Sequence, residues 1–332
     1  MPTGVWFPRA RAVELRPEQD AAIGEDDVRV VALASALSHG TEMLVYRGEA
    51  PRDLALDLPT LDGSYAFPIK FGYASVGRVT DVGANVRGLA RGDLVFVHHP
   101  HQDAYVVAAS RAIRLPVDLR PERGVFFANT ETAVNVLLDA HPRAGDVVAV
   151  FGQGVVGLLV TQLLRRAGAR VVAVEPIAKR RALAEQLGAE IAVGPDDADA
   201  AVRDATNGRG FDLAIEVSGN VHALQGAIDL AAFQATIVVA SWYGTKPVSL
   251  SLGGRFHRAR LRLVSSQVGA VDPSLAPRWD RARRTAYALD LLSELDLMPL
   301  ITHRYPFARA ADAYALVDTR ADEVVQVLLT YD

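Results

Sequence analysis

Residues 147–176 read VVAVFGQGVVGLLVTQLLRRAGARVVAVEP. An apolar, β-branched run leads into a glycine-rich turn, after which apolar residues recur at helical spacing. Gly168 suits the left-handed position that closes a helix, and a second apolar run then ends at Glu175. This order of strand, glycine turn, helix and strand predicts a βαβ unit within a parallel sheet.

Each glycine of the turn has a physical role in such a unit. Gly152 allows the tight turn out of the strand, Gly154 lets the backbone approach a pyrophosphate, and Gly157 lets the helix pack closely on the sheet. The positive N-terminus of the helix favours the negative charge of the pyrophosphate. The sequence therefore predicts a dinucleotide site whose cofactor-binding residues are Gly152, Gln153, Gly154, Val155, Val156 and Gly157.

Glu175 stands at the spacing at which an acidic residue accepts hydrogen bonds from the adenosine ribose. This position favours NAD(H) over NADP(H), because a 2′-phosphate would meet a like charge. NADP(H) stays possible, since Arg180 and its neighbours Lys179 and Arg181 could bind that phosphate. The alternative interpretation of the three cations is a solvated helix face.

Length and composition narrow the class of protein. At 332 residues the chain suggests about two domains, and 50% hydrophobic residues with a formal net charge of −4 indicate a globular protein without a basic surface for nucleic acid or membranes. The N-terminus has no signal-peptide pattern, and no apolar stretch is long enough to cross a bilayer, which predicts a cytoplasmic protein. The absence of cysteine excludes disulfides, thiolate metal sites and cysteine nucleophiles.

The pattern changes along the chain. Short strands punctuated by turns predict a β-rich region over residues 5–89 and just beyond, whereas strands and helices alternate after residue 121. The predicted elements there include a helix at 125–138, strands at 211–217, 235–240 and 261–268, and a helix at 278–295. Such alternation predicts an α/β fold with a Rossmann, doubly wound parallel sheet, whose ligands bind at the carboxyl ends of the strands.

The order of these parts resembles the medium-chain dehydrogenase/reductase family, of which the zinc alcohol dehydrogenases are the best-known branch. The resemblance covers essentially the whole chain. Its most specific stretches are SHGTEMLVYRG at 38–48, FGYASVGRVTDVGANVRGLARGDLVF at 71–96, ETAVNVLLDAHPRAGDVVAVFGQGVVG at 131–157 and ITHRYPFARAADAYALVD at 301–318. It implies a β-rich, GroES-like catalytic domain formed by residues 1–117 and 296–332, and a Rossmann dinucleotide-binding domain formed by 118–295.

The zinc motifs of the family are altered in this chain. Members that use zinc carry a cysteine in a Cys-Gly-Thr-Asp motif, a histidine and a glutamate in a Gly-His-Glu motif, and a third ligand before the helix that precedes the Rossmann unit. Here the first motif reads HGTE at 39–42 and the second reads GYA at 72–74. The third position aligns best with Ala128, although Thr130 or Glu131 could be argued. Because catalytic zinc needs three protein ligands, the resemblance implies a member without zinc.

Three further histidines, His98, His99 and His101, follow the strand that ends in VFV and could rebuild a metal site with His39. Neighbouring residues on a strand point to opposite faces, so His98 and His99 face inward together only if the strand has ended. We therefore favour the interpretation that these are solvated loop histidines.

Hydride transfer without a metal requires hydrogen-bond donors at the developing alkoxide. Thr41 matches the family hydroxyl that bonds the substrate oxygen, Tyr73 places a phenol at a former ligand position, and His39 could act as an acid or orient Thr41. These three are the predicted catalytic residues. A ring that fills space is the alternative for Tyr73, and a hydrogen-bonded core residue is the alternative for His39. Glu42, at the family's aspartate position, is expected to orient its loop.

The resemblance also implies further cofactor contacts. Thr132 matches a family residue near the nicotinamide, and the strand ends expected to face the dinucleotide carry Ser218, Ser241, Ser266 and Gln267. Trp242 and Tyr243 follow a predicted strand, where they could form a wall of the nicotinamide pocket or fill the core.

The function predicted from these residues is zinc-independent hydride transfer between NAD(H) and an alcohol or carbonyl substrate. One alternative is an enone or quinone reductase of the same family, and a second is a dinucleotide-binding protein without catalysis. The partner expected is a small-molecule substrate. Family members are commonly dimers or tetramers, so a homodimer or homotetramer is expected, in which strand 261–268 could extend a sheet across a two-fold axis.

Overall fold

The computed structural model describes residues 1–56, 58 and 60–331. The density of contacts divides the chain into two compact units. Unit 1 comprises Met1–Ala128 and Leu297–Asp332, and unit 2 comprises Asn129–Asp296. The predicted domain limits at 117/118 and 295/296 remain a prediction, because compactness alone does not assign a function to a unit.

The regular elements are numbered in chain order. The strands are β1 (Thr3–Trp6), β2 (Glu14–Pro17), β3 (Asp27–Ala36), β4 (Ser75–Val82), β5 (Leu94–Val97), β6 (Ala104–Ala108), β7 (Ala112–Arg114), β8 (Val147–Phe151), β9 (Arg170–Val174), β10 (Ile191–Val193), β11 (Phe211–Glu216), β12 (Ala231–Val239), β13 (Arg262–Ser265), β14 (Ile301–Pro306) and β15 (Gln326–Thr330). The α-helices are α1 (Thr41–Arg47), α2 (Pro121–Gly124), α3 (Phe127–Ala140), α4 (Val155–Arg166), α5 (Ala178–Gln186), α6 (Ala198–Thr206), α7 (Val221–Leu230), α8 (Arg281–Glu294) and α9 (Ala310–Thr319).

Unit 1 is β-rich, as the sequence predicts. Within the described residues its main sheet runs β14-β15-β3-β4-β5-β7, with β6 paired to β3. Strand β3 alternates between the core and the outer face, and Val28 and Val30 pack with Val79 and Val95 in the core. The chain leaves β3 at Ala36 and enters α1 at Thr41, which places the HGTE motif directly after the longest strand of this sheet.

Unit 2 is built on a parallel sheet whose order, for the part of the chain described, is β10-β9-β8-β11-β12-β13. Strand β8 is buried along its whole length and pairs with a strand on each side, β9 and β11. The chain runs from β8 to β10 in one direction and then from β11 to β13 in the other. The strand order therefore reverses between β8 and β11, which is where such sheets bind ligands. The predicted fold class is confirmed.

Element limits differ slightly from the prediction. The helix expected at 125–138 runs from Phe127 to Ala140, and the strand expected at 261–268 spans only Arg262–Ser265. Strand β13 lies at the edge of the described sheet and pairs only with β12. Its hydrogen-bonded part ends at Ser265, because β12 ends at the paired residue Val239. Within the described residues, no helix has both the length and the apolar character needed to cross a membrane.

Candidate functional site

The glycine turn of unit 2 follows β8. Gly152 has φ +96°, and a Cβ on it would lie 2.7 Å from the Ser218 Cα atom, so only glycine is tolerated there. A Cβ on Gly157 would lie 2.0 Å from the Gly152 carbonyl oxygen. By contrast, a Cβ on Gly154, the N-cap of α4, would meet nothing within 4 Å. The open side of the turn thus lies at the helix N-terminus, where backbone N–H groups can receive a pyrophosphate.

Glu175 folds its carboxylate back onto this turn. Its two oxygens accept hydrogen bonds from the backbone N–H groups of Gln153 at 2.7 Å and Ile177 at 3.0 Å, and the residue is buried. Each carboxylate oxygen can accept more than one hydrogen bond, so capacity remains for ribose hydroxyls. The turn and the acidic residue that the sequence predicts as cofactor-binding are therefore adjacent.

The other residues of this region have distinct surroundings. The Gln153 side chain is buried and its amide oxygen accepts from the Thr161 hydroxyl at 3.1 Å, so it braces the turn against α4. Val155 is buried and Val156 half-buried in the first turn of α4. Arg180 is half-buried near the start of α5, whereas its neighbour Arg181 donates to the backbone carbonyls of Glu175 and Pro176.

Ser218 and Ser241 lie together at the ends of β11 and β12. The Ser218 hydroxyl and N–H donate to one oxygen of Glu216 at 2.6 and 2.7 Å, and the Ser241 hydroxyl oxygen accepts from the Gly219 N–H at 2.8 Å. Glu216 is fully buried, and its other oxygen accepts from the Tyr243 hydroxyl at 2.6 Å. Glu216 is not among the residues predicted from the sequence, although a lone acid at the end of the apolar strand FDLAIE is a signal that points to it.

Tyr243 is neither plain core filler nor a bare pocket wall, because its phenol is bonded to that buried carboxylate. Burial and then the contact with Glu216 raise the pKa of Tyr243 far above 10. The phenol therefore stays a neutral donor that ties the segment after β12 to the end of β11.

The remaining cofactor candidates of unit 2 lie on or beside α3. Thr132 is half-buried on this helix, next to Glu131, which accepts from the Thr285 hydroxyl at 2.8 Å. Ser266 hydrogen-bonds to the Asp139 side chain. The exposed Gln267 bonds its own loop, since its side-chain oxygen accepts from the Gly269 N–H at 2.5 Å.

In unit 1 the predicted catalytic hydroxyls come together. The Tyr73 hydroxyl donates to the Ser38 hydroxyl oxygen at 2.5 Å and also hydrogen-bonds to Thr41, the first residue of α1. Ser38 was missed, although it directly precedes the HGTE motif. His39 is half-buried in the loop between Ser38 and Thr41. We call Ser38, Thr41 and Tyr73 the hydroxyl cluster.

The phenol of Tyr73 is kept protonated by its surroundings. Burial of its hydroxyl end raises the pKa of Tyr73 to about 12, and the charge of Glu42 acts in the same direction, whereas the contacts with Ser38 and Thr41 lower it. At neutral pH the cluster therefore presents a neutral hydrogen-bond donor.

Glu42 is fully buried beside the hydroxyl cluster. Its oxygens accept from the Ser38 N–H at 3.0 Å, from His101 Nε2 at 2.9 Å and from the Tyr314 hydroxyl. The carboxylate thus orients the loop that carries the HGTE motif, as the sequence led us to expect.

The interpretation of the three loop histidines as solvated is wrong for two of them. His101 is 0% exposed and His99 is 7% exposed, and the His99 ring stacks on Tyr105 at 3.7 Å. His98 is half-buried and meets the Phe96 ring edge to face at 5.0 Å. The strand has ended at Val97, which is the condition under which alternation along a strand no longer keeps these rings on opposite faces.

The positions at which zinc-using members carry ligands do not fit a zinc ion. They provide the imidazole of His39, the phenol of Tyr73 and, in the preferred alignment, the methyl group of Ala128. Across residues 1–56, 58 and 60–331, no group of three or more His, Cys, Asp or Glu side chains is arranged to hold a metal ion. Zinc in catalytic sites needs three protein ligands, and this donor set does not supply them.

Comparison with known proteins agrees with the fold and the motifs. A family model described as zinc-binding dehydrogenase matches residues 155–284. D-guloside 3-dehydrogenase of Escherichia coli strain K12 is 27% identical over 343 residues, covering 97% of this chain and 97% of that enzyme. (R,R)-butanediol dehydrogenase of Bacillus subtilis strain 168 is 32% identical over 235 residues, covering 61% of this chain and 67% of that enzyme.

The solved structures agree as well. The crystal structure of 2R,3R-butanediol dehydrogenase from Bacillus subtilis matches with a TM-score of 0.83, at 21% identity, over 100% of both chains. At that identity the likeness shows the fold, whereas the sequence relatives show the family. The chain therefore belongs to the medium-chain dehydrogenase/reductase family and is an NAD(P)-dependent oxidoreductase of the alcohol dehydrogenase type.

Proposed function

We propose that this protein transfers a hydride between NAD(H) and an alcohol or carbonyl substrate without a zinc ion. The observation that carries the proposal is the hydroxyl cluster, because Tyr73 occupies a zinc-ligand position of the family and is bonded there to Ser38 and Thr41. A protonated phenol held by two hydroxyls can take over the polarisation of a substrate oxygen that a metal provides elsewhere.

The cofactor proposed is NAD(H). The open side of the glycine turn at Gly154 would hold the pyrophosphate, and Glu175 would accept from the ribose hydroxyls. A 2′-phosphate would be repelled by the buried carboxylate of Glu175, which supports NAD(H) over NADP(H). We further propose that Thr132, Ser218, Ser241, Ser266 and Gln267 contact the remainder of the dinucleotide. Bound NAD(H) would supply or accept the hydride.

The side chains of the hydroxyl cluster donate and accept the proton of the reaction. In the reductive direction the Tyr73 hydroxyl bonds the carbonyl oxygen and gives it a proton as negative charge develops there. Ser38 and Thr41 then stabilise the phenolate, consistent with the direction in which both contacts move the pKa of Tyr73. In the oxidative direction Tyr73 must first release its proton to solvent, and the resulting phenolate then accepts the proton of the substrate hydroxyl as the hydride leaves for NAD⁺. We propose that His39 orients Thr41 within this arrangement.

The substrate class is proposed from the relatives. The enzymes similar over much of this chain are named for a guloside and for butanediol, both of which carry secondary hydroxyl groups beside other hydroxyls. We therefore propose a polyol, vicinal diol or sugar derivative oxidised at a secondary carbon. A homodimer or homotetramer, a cytoplasmic location, and no nucleic-acid or membrane partner complete the proposal.

The test is NAD⁺-dependent oxidation of a panel of diols, polyols and sugar glycosides by the wild type, Tyr73→Phe and Tyr287→Phe. Loss of the proton donor is expected to lower kcat about 100-fold or more in Tyr73→Phe. NADH affinity is expected to stay unchanged, because the glycine turn is untouched. Tyr287→Phe is the matched control, since that tyrosine lies on α8 and is 39% exposed. Full activity of Tyr73→Phe, or turnover only of enones with NADPH, would contradict the proposal.

A further inference from the structure

A continuous line of hydrogen bonds runs through the core of unit 1 behind the hydroxyl cluster. The Tyr331 hydroxyl lies 2.8 Å from the Ser35 hydroxyl, which lies 2.6 Å from His101 Nδ1. His101 Nε2 in turn lies 2.9 Å from Glu42. Ser35, His101 and Glu42 are all 0% exposed. Elements far apart in the chain thus converge on one imidazole.

For a neutral His101 ring, the partners allow one direction for this line. Glu42 accepts from the Ser38 N–H and the Tyr314 phenol, so its remaining neighbour, His101 Nε2, is placed as a third donor. A neutral imidazole that donates from Nε2 must accept at Nδ1, which makes Ser35 the donor to His101. Ser35 then accepts from Tyr331. Every polar atom from Tyr331 to Glu42 is satisfied in this one direction, which favours a single tautomer of His101.

His101 is linked to two members of the hydroxyl cluster through intervening residues, Glu42 and Gly72. Through Glu42 it holds the Ser38 N–H, and the Ser38 hydroxyl accepts from Tyr73. Its ring also lies on the backbone of Gly72, where a Cβ would come within 2.9 Å of His101 Cδ2. Gly72 directly precedes Tyr73. The position of one imidazole therefore bears on both partners of the Ser38–Tyr73 hydrogen bond.

We propose that His101 and Glu42 are positioning residues that hold Ser38 and Tyr73 in the geometry needed for proton transfer. This proposal rests on the proposed function, since it assumes that Tyr73 donates the proton. Neither residue touches the substrate. Their effect is on the placement of the phenol, so it should appear in the proton-transfer step and leave cofactor binding unchanged.

Two variants distinguish the hydrogen bond that His101 donates from the space that its side chain fills. In His101→Gln the side-chain amide reaches approximately the position of Nε2 and keeps a donor for Glu42, whereas His101→Leu removes the donor at similar size. We expect His101→Leu to lower kcat about tenfold or more, to change KM little, and to raise the solvent deuterium isotope effect on kcat as proton transfer becomes slower. His101→Gln is expected to recover most of kcat. The dissociation constant of NADH, read on the same samples, is expected to be equal in all three proteins.

A second readout does not depend on turnover. In the full chain, ¹⁵N resonances of His101 should report a neutral ring protonated at Nε2, and the Cζ resonance of Tyr73, assigned with Tyr73→Phe, should shift in His101→Leu and return in His101→Gln. An Nδ1-protonated ring, or an unmoved Tyr73 resonance, would overturn the proposal. An unchanged kcat in His101→Leu would also overturn the proposal. The same holds if kcat falls only in proportion to the fraction of His101→Leu protein that still binds NADH, since that loss would reflect misfolding. If the wild type turns over no alcohol or ketone, the proposed function fails while the resonances still decide the positioning role.

Discussion

Tyr73 shows how burial can keep a single phenol protonated. The sequence identified the residue by its place in the GYA motif, but the pKa of about 12 follows from surroundings that only the folded chain provides. Desolvation and the charge of Glu42 raise the pKa of this phenol, whereas the hydrogen bonds with Ser38 and Thr41 lower it. Burial is the largest of these effects, so the residue remains an acid over the whole neutral range.

A pH dependence follows from that residue. In the proposed reaction, ketone reduction needs the protonated phenol, and a pKa of about 12 keeps it protonated well above the ordinary tyrosine value of 10. We therefore expect kcat for reduction to show no alkaline fall caused by Tyr73 between about pH 7 and about pH 11. Glu42→Gln removes a charge that raises this pKa, so any alkaline fall should move to lower pH in that variant. A fall centred near pH 10 in the wild type would speak against a buried, desolvated phenol.

His99 carries a prediction about stability. Burial lowers the pKa of His99 from 6.5 to about 3. Below about pH 6.5 the unfolded chain binds a proton at this residue that the folded chain does not, so stability present above that pH is lost as the pH falls. The loss should reach about 2 kcal/mol at about pH 5.

Denaturant unfolding of the wild type and His99→Gln at neutral and acid pH measures that loss. The variant should lose less stability over the same interval, and His222→Gln, at an exposed position of α7, should behave like the wild type. Equal pH dependence of wild type and His99→Gln would show that His99 is not held neutral by burial.

At the level of elements, the β8-turn-α4 unit separates the structural and ligand-binding roles of glycine. An alanine at Gly157 would place its Cβ 2.0 Å from a backbone oxygen, whereas an alanine at Gly154 would meet open space. Gly157→Ala should therefore lower the free energy of unfolding by about 2 kcal/mol or more. Gly154→Ala should leave stability unchanged and weaken NADH binding about tenfold or more, because its methyl group occupies the path of the pyrophosphate.

Thermal unfolding and NADH titration of the two variants check this division. If Gly154→Ala binds NADH as tightly as the wild type, the open side of the turn is not the pyrophosphate site.

The same unit shows why part of the fold was predictable. Apolar periodicity, Gly152 and Gly168 are local signals. The steric demands at Gly152 and Gly157 are imposed by neighbours within the unit and by the two residues that follow β11, Val217 and Ser218. The segment after β5 offered no such signal. Three histidines in a polar stretch predict solvated side chains, whereas contacts with Tyr105, Ser35 and Glu42 bury two of them. The local sequence pattern does not predict those contacts.

At the level of the whole molecule, the hydrogen bonds that the sequence does not predict are those between residues far apart along the chain. The carboxylate of Glu42 is bonded to Tyr314, and Ser35 is bonded to Tyr331, so the C-terminal segment completes a network begun near the N-terminus. The resemblance to the family assigned that segment to the catalytic domain, but neither spacing nor periodicity could show which hydroxyls meet. Thr41 and Tyr73 were predictable as candidates from motif positions, whereas the hydrogen-bond partners of Ser38, His101 and Glu216 are visible only in the folded chain.

The measurement that tests the central claim most directly is zinc content and NAD(H)-dependent turnover on one sample, before and after treatment with a chelator. The account predicts far less than one zinc ion per chain and a turnover that the chelator leaves unchanged, because the hydroxyl cluster takes over the metal's role at the substrate oxygen. One zinc ion per chain, with turnover lost on chelation and restored by zinc, would contradict it.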